Sequence, residues 1–128
     1  MAIDDLRNNP MMRHLLGALE RGEDIGHYGR LVFAMVARHF IDETELCGFL
    51  ENNLSKEEAM ALCKQVQAHD YNPPRRERIL AWQQQQAFPI CPDASDPDAC
   101  NVYKDLKFPQ SVYDHIEEYY GEKASGEA

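Results

Sequence analysis

Residues 26–40 read GHYGRLVFAMVARHF and carry the clearest helical pattern in the chain. Their apolar side chains recur at intervals of three and four residues, which places them on one face of an α-helix. Other apolar residues flank that face, so we expect neighbouring helices to cover it on more than one side. The stretch therefore predicts the central helix of a helical bundle. The apolar face consists of Tyr28, Leu31, Val32, Met35, Val36 and Phe40.

Helix-start signals divide the flanking sequence into further helices. Four of them combine a side chain that can cap the first turn with a proline next to it or a glutamate three residues later. We interpret residues 1–8 as a frayed start and Asp24 as the cap of the central helix. The other signals are Asn9-Pro10, Asp42 with Glu45, Ser55 with Glu58, Asn72-Pro73-Pro74 for a helix from 73 to about 87, and Ser111 for the last helix.

Residues 88–109, FPICPDASDPDACNVYKDLKFP, differ from the rest of the chain. Four prolines and two cysteines occur there, and no helical or strand period continues across the stretch. Irregular segments of this length are usually functional when they are ordered. The sequence therefore predicts an all-α fold, a compact bundle of about six short helices with an irregular Pro/Asp/Cys segment before the last one. We expect one helical domain over residues 1–120 and a disordered tail over residues 121–128.

Length and charge limit the class of protein. A chain of 128 residues is the size of one domain. The formal net charge of −9 disfavours a nucleic-acid partner, because non-specific binding of nucleic acid depends on neutralising phosphates. No apolar run is long enough to span a membrane, and no secretory signal opens the chain. We therefore expect a cytoplasmic protein with no membrane partner, in a compartment that keeps thiols reduced.

Four cysteines separate into two pairs of different character. Cys91 and Cys100 lie in the irregular segment, and three roles remain open for them: packed reduced thiols, a redox-regulated disulfide, or a zinc or iron–sulfur site that needs further ligands. Prolines and aspartates between them favour turns, so we expect the two residues to come within disulfide reach. Cys47 and Cys63 lie among apolar helical neighbours, and we expect them to pack as small hydrophobes that pair with nothing.

One basic cluster stands out. Arg75, Arg76 and Arg78 lie at a predicted helix N-terminus, where free N–H groups and guanidinium groups could hold an anion or a phosphate. Arg30 is a further candidate elsewhere in the chain. The open alternative is a solvated first turn whose arginines pair with acidic neighbours.

Residues scattered between positions 26 and 103 carry a first family resemblance. They are Gly29, Arg30, Leu31, Phe33, Ala37, Ser55, Glu57, Glu58, Ala59, Asn72, Pro73, Pro74, Glu77, Ile79 and Cys91. In this order the chain resembles the helical C-terminal domain of primases, and more distantly the iron–sulfur region of primase large subunits. The resemblance implies an accessory domain in nucleic-acid metabolism with a metal or cluster.

A second resemblance covers the fifteen residues from Cys91 to Asp105, C-x8-C-N-V-Y-K-D. They are similar to the cysteine loop of the small Calvin-cycle regulatory protein that binds glyceraldehyde-3-phosphate dehydrogenase. That resemblance implies a redox-switched disulfide between Cys91 and Cys100. It also implies interaction residues at Tyr103 and Asp105. In this chain, however, the loop continues into another predicted helix.

No acid–base pair, nucleophile set or phosphate-binding loop is visible in the sequence. We therefore predict a non-enzymatic binding or adaptor protein that interacts with a protein partner through the segment from Cys91 to Pro109 and responds to redox state. The alternative is a primase-type accessory domain, and an enzyme that uses the irregular loop as an active-site cover ranks below both.

Overall fold

The computed structural model describes residues 2–69, 72–93, 95–96 and 100–114, with the backbone alone at residues 2, 104 and 105. Within these ranges the secondary structure is entirely helical, which confirms the predicted all-α class. Residues 110–114 are also helical. The predicted tail over residues 121–128 lies outside the described residues. The helices are α1 (Ala2–Asn8), α2 (Pro10–Glu20), α3 (Gly26–Ala37), α4 (Glu43–Leu50), α5 (Lys56–Ala68), α6 (Arg76–Gln83) and α7 (Val102–Asp105).

Helix α3 lies at the centre, as its sequence predicts. It packs against α2, α4, α5 and α6. Val32, Phe33 and Val36 have no solvent exposure. Burial of each such side chain favours folding by about 1.5–3 kcal/mol, which makes α3 the element around which the other helices assemble.

Three predicted start signals are confirmed by their hydrogen bonds. Asn9 caps α2 by accepting from the Met12 N–H at 2.9 Å. The Asp42 carboxylate caps α4 by accepting from the Glu45 N–H at 2.9 Å. Ser55 and Glu58 form a reciprocal capping box on α5. Each cap satisfies a backbone donor that the helix itself leaves without a partner.

Residues 2–8 form a helix, so the prediction of a frayed start is wrong. Leu6 of α1 is fully buried, and Arg7 donates two hydrogen bonds of 3.0 Å to the carboxylate of Glu20 at the end of α2. Leu6, the partly buried Ile3 and this ion pair attach the short helix. The sequence pattern of residues 1–8 does not reveal these contacts, because their partners lie elsewhere in the fold.

Three other helix starts differ from the prediction by one to three residues. The α6 helix begins at Arg76 rather than at Pro73, because a proline disfavours helical backbone at the residue before it. The helix also ends at Gln83, short of residue 87. Ile25 occupies the cap position of α3, although the Asp24 carboxylate still accepts from the Gly26 N–H at 2.8 Å. The last helical stretch begins at residue 110, so Ser111 lies inside it.

The irregular segment is part of the core. Ile90, Val102, Leu106 and Phe108 are buried, and four residues of the segment form the short helix α7. The ring of Phe108 contacts the rings of Phe40, just after α3, and of Tyr103 and Tyr113, at centroid distances of 5.4, 5.5 and 6.5 Å. This aromatic cluster attaches the segment to the central helix. Among the described helices, none is both long and apolar enough to cross a bilayer.

A cleft beside the cysteine loop

Residues 91–100, here called the cysteine loop, are closed by a disulfide. The Cα atoms of Cys91 and Cys100 are 5.7 Å apart, so the disulfide reach expected from the sequence is present. The Asp93 carboxylate accepts from the Ser95 hydroxyl at 2.6 Å and from the Ser95 N–H at 3.1 Å. These bonds lower the pKa of Asp93 and form the side-chain turn that aspartate favours in loops.

The cysteine loop lies along helix α6. At the C-terminal end of the helix, Gln83 Oε1 accepts from the Cys91 N–H at 2.8 Å. At the N-terminal end, Arg76 Nη2 donates to the Asp96 carbonyl at 3.2 Å. Helix α6 has eight residues and is about 12 Å long. These two hydrogen bonds therefore attach the loop to both ends of one short helix.

A turn at the end of the loop directs the chain into α7. Cys100 has φ of 66°, in the left-handed region that few residues other than glycine adopt. Asn101 follows as the N-cap residue of α7, and the hydroxyl of Tyr103 in that helix donates to the Pro73 carbonyl just before α6. The turn therefore places α7 beside the N-terminus of α6.

Between these elements lies a cleft of about 360 Å³. It joins two groups that the sequence suggests separately, the arginines at the start of α6 and Tyr103 of the irregular segment. Tyr113 forms a further part of its wall, held by a 3.1 Å hydrogen bond that its hydroxyl accepts from the Phe108 N–H. The residues that line the cleft are Arg75, Arg76, Glu77, Asn101, Tyr103 and Tyr113.

Charge and aromatic surface meet in the cleft. Arg75 is the N-cap residue of α6, so it lies at the positive end of the helix dipole. Guanidinium groups bind carboxylates and phosphates through paired hydrogen bonds. Tyrosine rings add apolar contact area with little loss of side-chain entropy. The arrangement can therefore bind a small anionic group attached to an apolar or aromatic one.

Several residues singled out from the sequence lie outside the cleft wall. Arg30 pairs with Asp24 at 2.8 Å, and its side chain is only 16% exposed. The hydrogen bond from the Gly26 N–H lowers the pKa of Asp24 most, and the pair with Arg30 lowers it further. The guanidinium of Arg78 lies 5.8 Å from the ring centre of Trp82. Asp105 belongs to α7 by its backbone, and its side chain is outside the described part of the chain.

Cys47 and Cys63 form no disulfide, as the sequence predicts, but the two thiols are in contact, which it does not predict. Their sulfur atoms are 2.7 Å apart, Cys63 is fully buried and Cys47 is half-buried. Each cysteine packs on an apolar helix face as expected, but the two faces meet at the same point of the α4–α5 contact. In the described residues, no group of three or more histidine, cysteine or acidic side chains is arranged to hold a metal ion.

No protein-family model, curated protein or solved structure matches the chain. The resemblances to primases and to the Calvin-cycle regulatory family therefore rest on the residues quoted above. Glu77 and Asn101 lie within the sequence patterns of the two family resemblances, and Tyr113 is predicted as part of the apolar face of the last helix. In the structure, the ring of the buried Phe108 contacts both Tyr103 and Tyr113, and the Tyr103 hydroxyl bonds to Pro73 just before α6.

Proposed function

We propose that this protein is a non-enzymatic binding module whose cleft takes a short, carboxylate-bearing segment of a partner protein. The observation that carries the proposal is the meeting of Arg75 and Arg76 with Tyr103 and Tyr113 in one cleft of about 360 Å³. Arginine and tyrosine are among the residue types that contribute most to protein–protein affinity, especially when they surround a recess that excludes water.

The two arginines define the polar part of the ligand. A carboxylate can accept paired, charge-assisted hydrogen bonds from a guanidinium group, each worth about 1.5–3 kcal/mol. Arg76 is already oriented by its bond to the Asp96 carbonyl, so part of its side-chain entropy is lost before any ligand arrives. Arg75 is exposed and reaches the cleft from the same helix end.

Glu77 narrows the choice of ligand. It lines the cleft beside the arginines, and a second acidic residue of the ligand would meet its negative charge. The net charge of −9 also repels strongly acidic chains at long range and attracts basic ones. We therefore infer a partner with an overall basic surface that presents one carboxylate next to apolar or aromatic residues.

The disulfide gives this binding a redox response. Asn101 follows Cys100 directly and lines the cleft, and Arg76 bonds to the loop that the disulfide closes. Reduction removes the covalent closure and leaves only non-covalent contacts to hold the loop. We propose that partner affinity is higher in the oxidised protein. Equal affinity in wild-type protein with and without dithiothreitol would remove the redox part of the proposal.

A displayed library of random short peptides tests the binding site directly. Selection on immobilised, oxidised protein should enrich peptides with one acidic residue beside aromatic or apolar residues. In calorimetry these peptides should lose at least tenfold in affinity for Arg75→Gln, which is about 1.4 kcal/mol. Arg13→Gln, an exposed arginine on α2, serves as the matched control and should bind like wild type. Failure to enrich, or unchanged affinity for Arg75→Gln, contradicts the proposal.

The primase-type role remains the second candidate, because arginines beside tyrosines can also hold phosphates and stack on bases. Fluorescence anisotropy with labelled single-stranded DNA and RNA distinguishes the two. A nucleic-acid site predicts binding that weakens steeply with salt and is lost when Arg75, Arg76 and Arg78 are replaced by glutamate. A peptide-binding cleft predicts no binding of these probes at low salt.

A further inference from the structure

We propose that Cys47 and Cys63 are a second redox site, which small disulfides such as oxidised glutathione convert to an intramolecular disulfide between α4 and α5. The Sγ atoms are 2.7 Å apart, within about 1 Å of the roughly 2.0 Å length of a disulfide bond. The two residues lie on helices that pack directly against each other. The covalent bond therefore needs only a small adjustment of two side chains.

The two sulfur atoms differ in their access to solvent, which sets the order of the reaction. Cys47 is half-buried on the outer side of the pair, whereas Cys63 has no exposed surface. Burial, followed by the hydrogen bond with Cys47, raises the pKa of the Cys63 thiol. A small disulfide can therefore reach Cys47 and is excluded from Cys63, and the thiol that attacks it is Cys47.

Two exchange steps complete the reaction. The Cys47 thiol loses its proton and attacks one sulfur of oxidised glutathione, which forms a mixed disulfide and releases one glutathione thiolate. The Cys63 thiol then loses its proton and attacks Cys47 Sγ, which breaks the mixed disulfide and releases the second glutathione. The protein loses two protons and two electrons, and one oxidised glutathione becomes two reduced ones.

Intact-mass spectrometry and peptide mapping test this sequence of steps on the full chain. We start from protein with the Cys91–Cys100 disulfide formed and incubate it in mixtures of oxidised and reduced glutathione. Wild-type protein should lose the mass of two hydrogens and both free thiols, and the map should join the peptides that contain Cys47 and Cys63. Reduction should restore both thiols.

Two matched variants separate the roles of the two cysteines. Cys63→Ala lacks the resolving thiol and should stop at the mixed disulfide, with one glutathione added at Cys47. Cys47→Ala should add no glutathione, because the remaining thiol is buried. Circular dichroism checks that both variants fold.

The wild-type map decides the proposal even if a variant does not fold. Two persistent free thiols in strongly oxidising mixtures overturn it, whether or not Cys63→Ala accepts glutathione. A glutathione adduct that accumulates on wild-type protein without the bridge also overturns it. Rapid glutathione addition to folded Cys47→Ala shows that the order of attack is wrong.

Discussion

Arg76 Nη2 donates a hydrogen bond of 3.2 Å to the carbonyl oxygen of Asp96 and so attaches the cysteine loop to the first turn of α6. The same side chain lines the cleft together with Arg75. One guanidinium group therefore contributes both to the position of the loop and to the charge of the proposed binding site.

This double role gives a prediction for Arg76, with the exposed Arg13 of α2 as the matched control. Arg76→Gln should weaken binding of the selected peptides and also speed hydrogen exchange at the amides of Ser95 and Asp96. Arg13→Gln should leave both peptide binding and exchange in the loop unchanged. Calorimetry and hydrogen-exchange mass spectrometry measure the two effects. Identical exchange in both variants would mean that the Arg76 bond does not hold the loop.

The central position of α3 predicts that Val36→Asp unfolds the domain. Val36 has no solvent exposure, and burial of an unpaired carboxylate costs several kcal/mol, a large share of the 5–15 kcal/mol typical of a domain. Met60→Asp is the control, because Met60 is 42% exposed on helix α5. Thermal unfolding followed by circular dichroism should show a normal transition for Met60→Asp and none for Val36→Asp. A native-like transition for the latter would show that α3 tolerates a charge at its centre.

Gly26 and Gly48 predict opposite responses to alanine. Gly26 has φ of +80°, and a Cβ there would overlap the Gln86 side chain, which bonds to the Tyr28 N–H and to the Ile25 carbonyl. Gly26→Ala should therefore lower the free energy of unfolding by at least 1–2 kcal/mol. Gly48 lies in α4 with open space around it, so Gly48→Ala should raise stability by about 0.5–1 kcal/mol. Denaturant titration of both variants measures the difference, and equal shifts would contradict it.

Acid should release helix α1 before the rest of the chain. The hydrogen bonds from Arg7 lower the pKa of Glu20 in the folded protein. A carboxyl group whose pKa is lowered in the folded state stabilises the fold at pH values above its unfolded-state pKa. This contribution is lost as the pH falls through the folded-state pKa. The protection factors of the α1 amides, which correct for the slower intrinsic exchange in acid, should therefore fall below about pH 4.5, the ordinary value for glutamate. In Glu20→Gln these protection factors should be lower already at neutral pH, with little further change in acid, while Glu51→Gln should behave like wild type.

Local signals in the sequence predict much of the fold. The apolar spacing over residues 26–40 identifies α3, and the caps at Asn9, Asp42 and Ser55 identify the starts of three more helices. Each of these features depends on residues within one or two helical turns of each other. The turn chemistry of the cysteine loop is of the same kind, since Asp93 bonds to Ser95 two residues away.

Features that depend on distant partners could not be predicted. Helix α1 is held by Leu6 in the core and by the pair of Arg7 with Glu20, thirteen residues away. The cleft joins residues far apart in the chain, since Tyr103 bonds to Pro73 beside the start of α6 and Phe108 contacts both Tyr103 and Tyr113. The contact of Cys47 with Cys63 likewise depends on how two amphipathic helices are rotated against each other. The spacing of apolar residues within either helix does not determine that rotation.

The stacking of Trp82 on Tyr28 gives the protein an internal optical probe. Trp82 is the only tryptophan in the chain, and its ring lies 5.6 Å from that of Tyr28 with 19° between the planes. It belongs to α6, and Tyr28 belongs to α3, the helix against which α6 packs. Selectively excited emission from this single tryptophan therefore reports separation of α6 from the bundle, and a local opening of α6 with its attached loop becomes visible without any introduced label.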